Sequence, residues 1–245
     1  MTTDINSWFF ILLPVVAFLY ASVGHGGASG YLALMALFNF SPDVMRPTAL
    51  ILNIFVSAIA FYHFYKAGNM RWKLFFALII LSVPFAYLGG TMALHQTFYR
   101  QILGLLLLIP VARFIWVSKK ENENLKKINW PIVILLGACI GFISGLIGIG
   151  GGIILSPILL MLAWCKMKET AAISALFITI NSVAGLAGNA KLGIHINWKL
   201  GMVIILAFAG GMLGAYIGAN LIKTTRLKQL LALVLAIASF KLLMT

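Results

Sequence analysis

Acidic side chains are almost missing from this chain. Of 245 residues only 5 are Asp or Glu; charged residues of both signs make up 9%, against 62% hydrophobic. A water-soluble domain carries about a quarter charged residues and about half apolar ones, so that class is excluded. Cysteine is equally scarce. Cys139 lies inside an apolar run and Cys165 at the end of another, which offers neither a disulfide framework nor a metal-ligand spacing. No basic residue precedes Arg46, so the positive n-region of a cleavable signal peptide is missing and the first apolar run reads as mature protein. The acidic residues Asp4, Asp43, Glu121, Glu123 and Glu169 all fall between apolar runs. Cation and metal transporters usually set Asp or Glu within the membrane, so no metal and no cofactor is expected. The net charge of +13 belongs to the connections: Lys and Arg come in ones to fives between hydrophobic stretches, unlike the single basic face of a nucleic-acid binder.

What the chain does have is apolar length. A bilayer span needs about 20 mainly apolar residues, and runs of that order occupy 47–65, 74–94, 101–117, 169–190, 199–222 and 227–244. Two longer runs, 8–39 and 130–164, are interrupted by glycine, at Gly24-His25-Gly26-Gly27-Ala28-Ser29-Gly30 and at Gly148-Ile149-Gly150-Gly151-Gly152. Clustered glycine costs a helix about 1 kcal/mol per residue, so each long run is expected to be two half-helices meeting at an unwound turn. Gly24, Gly26 and Gly27 recur 124 residues on as Gly148, Gly150 and Gly151; Ser57 and Gly68 recur at 125 as Ser182 and Gly193; Trp72 is matched by Trp198. The expectation is an all-α polytopic membrane protein built from two homologous repeats of four hydrophobic elements, at 1–117 and 130–245. A polar linker at 118–129 joins them.

Lys and Arg accumulate in short cytoplasmic loops. If all eight elements cross the membrane, these residues divide 11 to 7 between the two sides; if the two glycine-broken elements are re-entrant, they divide 13 to 5. The second split is the stronger bias. It implies three crossings per half and therefore inverted repeats, the arrangement of many secondary transporters, with the linker cytoplasmic and both termini outside.

Unwound backbone within a membrane is tolerated only where protein buries it or water reaches it, so matching breaks point to a substrate site. Glycine lets amide groups approach an oxyanion closely, and the half-helix that follows presents its positive end. The candidate ligands are therefore Gly24, His25, Gly26, Gly27, Ala28, Ser29, Gly30, Gly148, Gly150, Gly151 and Gly152. Thr48, Asn53 and Ser57 from the next element of the first half, and Ser174, Asn181 and Ser182 from that of the second, add donors. His25 stands where the second repeat has Ile149, which breaks the symmetry and puts a titratable donor at one break. Gly210, Gly214 and Gly218 recur every fourth residue, as helix crossing requires. Gly27-Ala28-Ser29-Gly30 has the G-x-S-G form of an intramembrane serine hydrolase, yet Ser29 is matched by Ile153 and no histidine lies centrally in another apolar element. A transporter rather than an enzyme is expected, with an anion channel as the alternative.

The two halves, opening with Val23-Gly24-His25-Gly26-Gly27 and with Ile147-Gly148-Ile149-Gly150-Gly151-Gly152-Ile153-Ile154-Leu155-Ser156-Pro157, resemble the sulfite exporter TauE/SafE family of membrane transporters. The similarity runs on through Pro47-Thr48-Ala49-Leu50-Ile51-Leu52-Asn53, Ala172-Ile173-Ser174, Asn181-Ser182, Gly193 and Trp198 and covers nearly the whole chain. The resemblance implies transport of small sulfur-containing anions such as sulfite or organosulfonates across a bacterial inner membrane. Ala28 and Ser29 depart from the usual pattern.

Overall fold

The computed structural model describes residues 7–22, 27–66, 68–116, 125–193, 198–220 and 224–244, and every regular element among them is helical. The first half contributes α1 (Ser7–Ser22), α2 (Ala28–Leu37), α3 (Pro42–Lys66), α4 (Trp72–Thr91) and α5 (Gln96–Trp116). The second contributes α6 (Trp130–Ile147), α7 (Gly152–Met161), α8 (Met167–Asn189), α9 (Trp198–Asn220) and α10 (Thr224–Met244), with a 3-10 turn at Ala190–Leu192. Local chemistry fixes several ends. The Asn129 side chain accepts from the Ile132 amide at the start of α6, where Pro131 needs no donor partner. Glu169 accepts from the Lys166 amide in the first turn of α8, where a negative charge suits the helix dipole. α3, α4, α6 and α8 are each long and apolar enough to cross a membrane.

Both glycine-broken runs separate into two helices, but the limbs are unequal. α1 and α6 have 16 and 18 residues, α2 and α7 have 10 each, or about 15 Å at 1.5 Å per residue. The breaks are also shorter than the glycine clusters. Tyr31 donates its amide to the Gly27 carbonyl, so Ala28, Ser29 and Gly30, expected in the turn, form the start of α2, and Gly152 is the first residue of α7.

Each pair folds back on itself. At the first, the Phe9 ring near the start of α1 lies 5.6 Å from that of Phe38 and 4.9 Å from that of Phe40, just past the end of α2. At the second, the Lys126 amide ahead of α6 donates to the Ala163 carbonyl just past α7. The exits from the two hairpins are alike. Phe38, Asn39 and Phe40 donate to Leu34, Ala36 and Met35, and the same three bonds recur 124 residues later from Leu162, Ala163 and Trp164 to Ile158, Leu160 and Leu159. Asn39 and Ala163 occupy the left-handed position of this turn.

The halves pack into one another. α1 lies against α9 and α6 against α4, α3 against α8, and α5 against α10. The α4–α6 contact is a seam in which Gly137, Gly141 and Gly145 face the carbonyls of Leu78, Ser82 and Ala86 so closely that none has room for a Cβ. Gly210 of α9 meets the Pro14 carbonyl of α1 in the same way, which matches its reading as a packing glycine; the surroundings of Gly214 and Gly218 are not among those described. Small-residue seams of this kind let helices associate where lipid is as apolar as the helix surface. Gly141→Leu is expected to lower the stability of the purified protein by about 1–3 kcal/mol through overpacking, read from thermal unfolding.

The connections group at two ends. At one end Arg71, ahead of α4, donates to the Trp164 carbonyl and pairs with Glu169 at 3.8 Å. Cys165 is buried there, and burial pushes its thiol up to about 12 against the pull of Arg71, so it is expected to resist maleimide until the protein unfolds. At the other end Lys241 of α10 donates to the Leu37 carbonyl, 2.7 Å away. Arg46 corrects the sequence reading. Counted as a loop charge, it lies in the second turn of α3 and is 4% exposed, because backbone carbonyls from α4 and α6 converge on its guanidinium.

Candidate functional site

The second break is built from backbone that only glycine adopts freely. Gly148, Gly150 and Gly151 have φ of 88°, 72° and 77°, a region that costs other residues about 1 kcal/mol or more. The run therefore meets a conformational demand, and it also meets a spatial one. A Cβ on Gly150 would stand 2.7 Å from Ile178 Cγ2, 2.8 Å from Asn53 Nδ2 and 3.2 Å from Ser182 Oγ. Asn53 is the twelfth of 25 residues in α3 and Ser182 the sixteenth of 23 in α8, so the break lies level with the middle of α3 and just past that of α8. α7 starts here, and its first amides, those of Gly152 and Ile153, have no partner within the helix. Its positive end, equivalent to about half a charge, faces this region.

The polar groups around the break divide into two sets. Asn53 and Ser182 are fully buried, and neither the two amide atoms of Asn53 nor the Ser182 hydroxyl has a hydrogen-bond partner; the same holds for the Thr48 and Ser144 hydroxyls. Leaving a buried donor or acceptor unpaired costs about 1–3 kcal/mol, so such a group in a native fold calls for an explanation. The second set is fully engaged in tying helices together. Asn181 accepts from the Ser82 hydroxyl at 2.6 Å and donates to the Phe177 carbonyl. Ser57 donates to the Asn53 carbonyl and meets the Thr179 hydroxyl at 2.8 Å. Ser174 accepts from Ser156, joining α7 to α8.

At the first break Gly24, His25 and Gly26 lie outside the described residues. Gly27 caps α2, and a Cβ on it would stand 2.5 Å from Tyr31 Cζ and 2.6 Å from Tyr31 Oη. Tyr31 is fully buried with its hydroxyl unpartnered, and sequence reasoning passed over it as one more aromatic in an apolar run. Its position four residues after Gly27, and so on the same helix face, was the available signal. Ser29 is 1% exposed.

Arg46 holds the second break in place. Its Nη1 donates to the Met92 carbonyl at 2.9 Å and its Nη2 to those of Gly89, Gly90 and Gly145 at 3.1–3.3 Å, while its backbone lies against Gly148. Among the described residues no carboxylate forms an ion pair with it; the negative ends of α4 and α6 serve in its place. Tyr99 adds a hydrogen bond to the Ile147 carbonyl at 2.8 Å.

Each half thus opens with a helical hairpin, and in the second the break lies against α3 and α8. The family described as sulfite exporter TauE/SafE matches residues 9–242. The chain belongs to that family. Among curated relatives, a probable membrane transporter protein of Sinorhizobium fredii is 36% identical over 233 residues, covering 94% of each chain. A probable membrane transporter protein of Methanocaldococcus jannaschii is 30% identical over 207 residues, covering 76% of this chain and 75% of its own; one of Haemophilus influenzae is 27% identical over 246 residues. No solved structure matches the chain. Membership of TauE/SafE, together with the apolar helices, makes this a multi-pass membrane transporter.

Proposed function

We propose that the protein is a secondary transporter of a small sulfur-containing oxyanion, such as sulfite or an organosulfonate, bound near the bilayer midplane between the two glycine breaks and moved by alternating access. The observation that carries this reading is the pair of fully buried, unpartnered side chains, Asn53 and Ser182, set against Gly150 at the start of α7. Neutral donors, unpaired amides and a positive helix end are what an anion needs, and among the described residues the carboxylates of the two helices against the break, Asp43 and Glu169, sit in the first turns of α3 and α8. Ser29 contributes one hydroxyl among many donors. Ser29→Ala is expected to weaken binding tenfold at most, about 0.5–1.5 kcal/mol, and calorimetric titration with the best anion measures it.

The hairpins support an inverted-repeat arrangement, and the membrane we propose for it is a bacterial inner membrane. Arg71 pairing with Glu169, and Lys126 with Ala163, put the α3–α4 connection, the linker and the exit of α7 at one end; Lys241 with Leu37 puts the C-terminus beside the exit of α2 at the other. Eight simple crossings would separate those partners by the whole membrane. With Arg46 withdrawn from the loop count, Lys and Arg divide 13 to 4, a bias that supports a cytoplasmic linker. A reporter active only in the cytoplasm, fused after Thr245, is expected to be inactive; activity there would remove the re-entrant arrangement. The substrate reading is tested by thermal stabilisation of the purified protein with sulfite, sulfate, thiosulfate, sulfoacetate and carboxylates, followed by uptake of the best binder into vesicles. Stabilisation by carboxylates alone would overturn it.

A further inference from the structure

Resting on that reading of the second break, we propose that the site selects singly charged oxyanions carrying a hydrogen-bond donor of their own, and that Asn53 is the residue that reads the donor. The Asn53 side chain is fully buried, and neither Nδ2 nor Oδ1 has a partner. Because both atoms are free, the inference does not depend on which way the amide is turned. A bare oxyanion has acceptors only. It would satisfy the Asn53 N–H groups, the Ser182 hydroxyl and the first amides of α7, but it would leave the Asn53 oxygen facing negative charge in a place water does not readily reach. An anion with one O–H or N–H next to its oxygens satisfies both ends of the amide.

Charge points the same way. Asn53, Ser182, Thr48 and Ser144 are neutral, and the buried cation whose backbone lies against Gly148, Arg46, directs both Nη atoms to carbonyls and leaves only Nε unpartnered. The end of α7 and a set of neutral donors can match one negative charge, whereas a second would be buried without compensation. The ligand class is therefore a monoanion that keeps a donor: the hydrogen form of a dibasic oxyacid, or a sulfonyl anion with an amino or hydroxyl group on sulfur.

Sulfamate and methanesulfonate separate donor recognition from charge and shape. Both are monoanions with a pyramidal SO3 group, and they differ by an NH2 in place of a CH3. In calorimetric titration of the purified wild type, sulfamate is expected to bind about tenfold more tightly. Asn53→Leu, close in volume but without polar atoms, should bind both weakly and bring the ratio to about one, with Asn53→Ala as the second variant should the first not accumulate. Ser182→Ala should weaken both and leave the ratio unchanged. Equal binding of the two anions by the wild type, or a ratio that survives at Asn53→Leu, overturns the role of Asn53 while leaving anion transport intact. Failure of both anions, and of the wider sulfur oxyanion panel, to bind the wild type overturns the reading of the site itself.

Discussion

Arg46→Met is expected to lower the stability of the protein by about 3 kcal/mol or more, the largest loss of any single substitution considered, seen as a drop in thermal midpoint and in accumulation in the membrane. The buried carbonyls of Gly89, Gly90 and Gly145 and the part-buried one of Met92 each lose a donor at once; Gly89 keeps the Met92 amide, and each buried acceptor left unpaired costs about 1–3 kcal/mol before relaxation. Arg46→Lys should recover less than half of the loss, because a compact ammonium cannot fork between the Met92 carbonyl on one side and the Gly145 carbonyl on the other. Full recovery by lysine would mean that the charge alone, and not the planar fork, holds the break against α4.

Gly150→Val should reduce transport to background while the protein still inserts. The valine Cβ would fall 2.8 Å from Asn53 Nδ2 and 2.7 Å from Ile178 Cγ2, and a β-branched residue at φ 72° is strained in any surroundings. Gly151→Val should also abolish transport, but with a larger loss of stability, since its Cβ meets the packed side chains of Ile140 and Phe177 rather than the proposed ligand groups. Gly26→Val is expected to act in the first half as Gly150→Val does in the second. The control is Gly68→Ala, where φ is 72° but nothing lies within 4 Å; it should transport normally and cost about 1 kcal/mol of stability from backbone conformation alone. Uptake into vesicles, beside thermal unfolding, distinguishes Gly150→Val, Gly151→Val and Gly68→Ala. Normal uptake by Gly150→Val would mean that the anion does not meet this stretch of backbone.

The helical class and the two breaks were legible in the sequence because both are properties of local composition: apolar length sets the spans, and a run such as Gly150-Gly151-Gly152 has few other uses in a helix. The roles of individual polar residues were not legible. Asn53 and Asn181 sit in similar apolar surroundings, yet one is unpartnered and the other is tied to Ser82, 99 residues away. Arg46 reads as a loop charge because the carbonyls that hold it come from positions 43 to 99 residues distant. Tyr31 matters only through the absence of a side chain at Gly27. In each case the deciding partner lies on another helix, and residue type carries no record of it.

The crossed packing of the hairpins has a further consequence for how the chain is assembled. α1 of the first half is packed against α9 of the second, and α6 of the second against α4 of the first, so each half has lent an arm to the other, as two subunits do in a swapped dimer. Neither half alone can bury its own lent arm. Co-expressed as separate polypeptides, 1–117 and 118–245, the second keeping the Lys126 amide and the Asn129 cap, should find each other in the membrane and restore the carrier, while either one alone should be degraded. Joining the two partners in one chain would then keep them at a fixed one-to-one ratio, a matter of stoichiometry rather than of architecture.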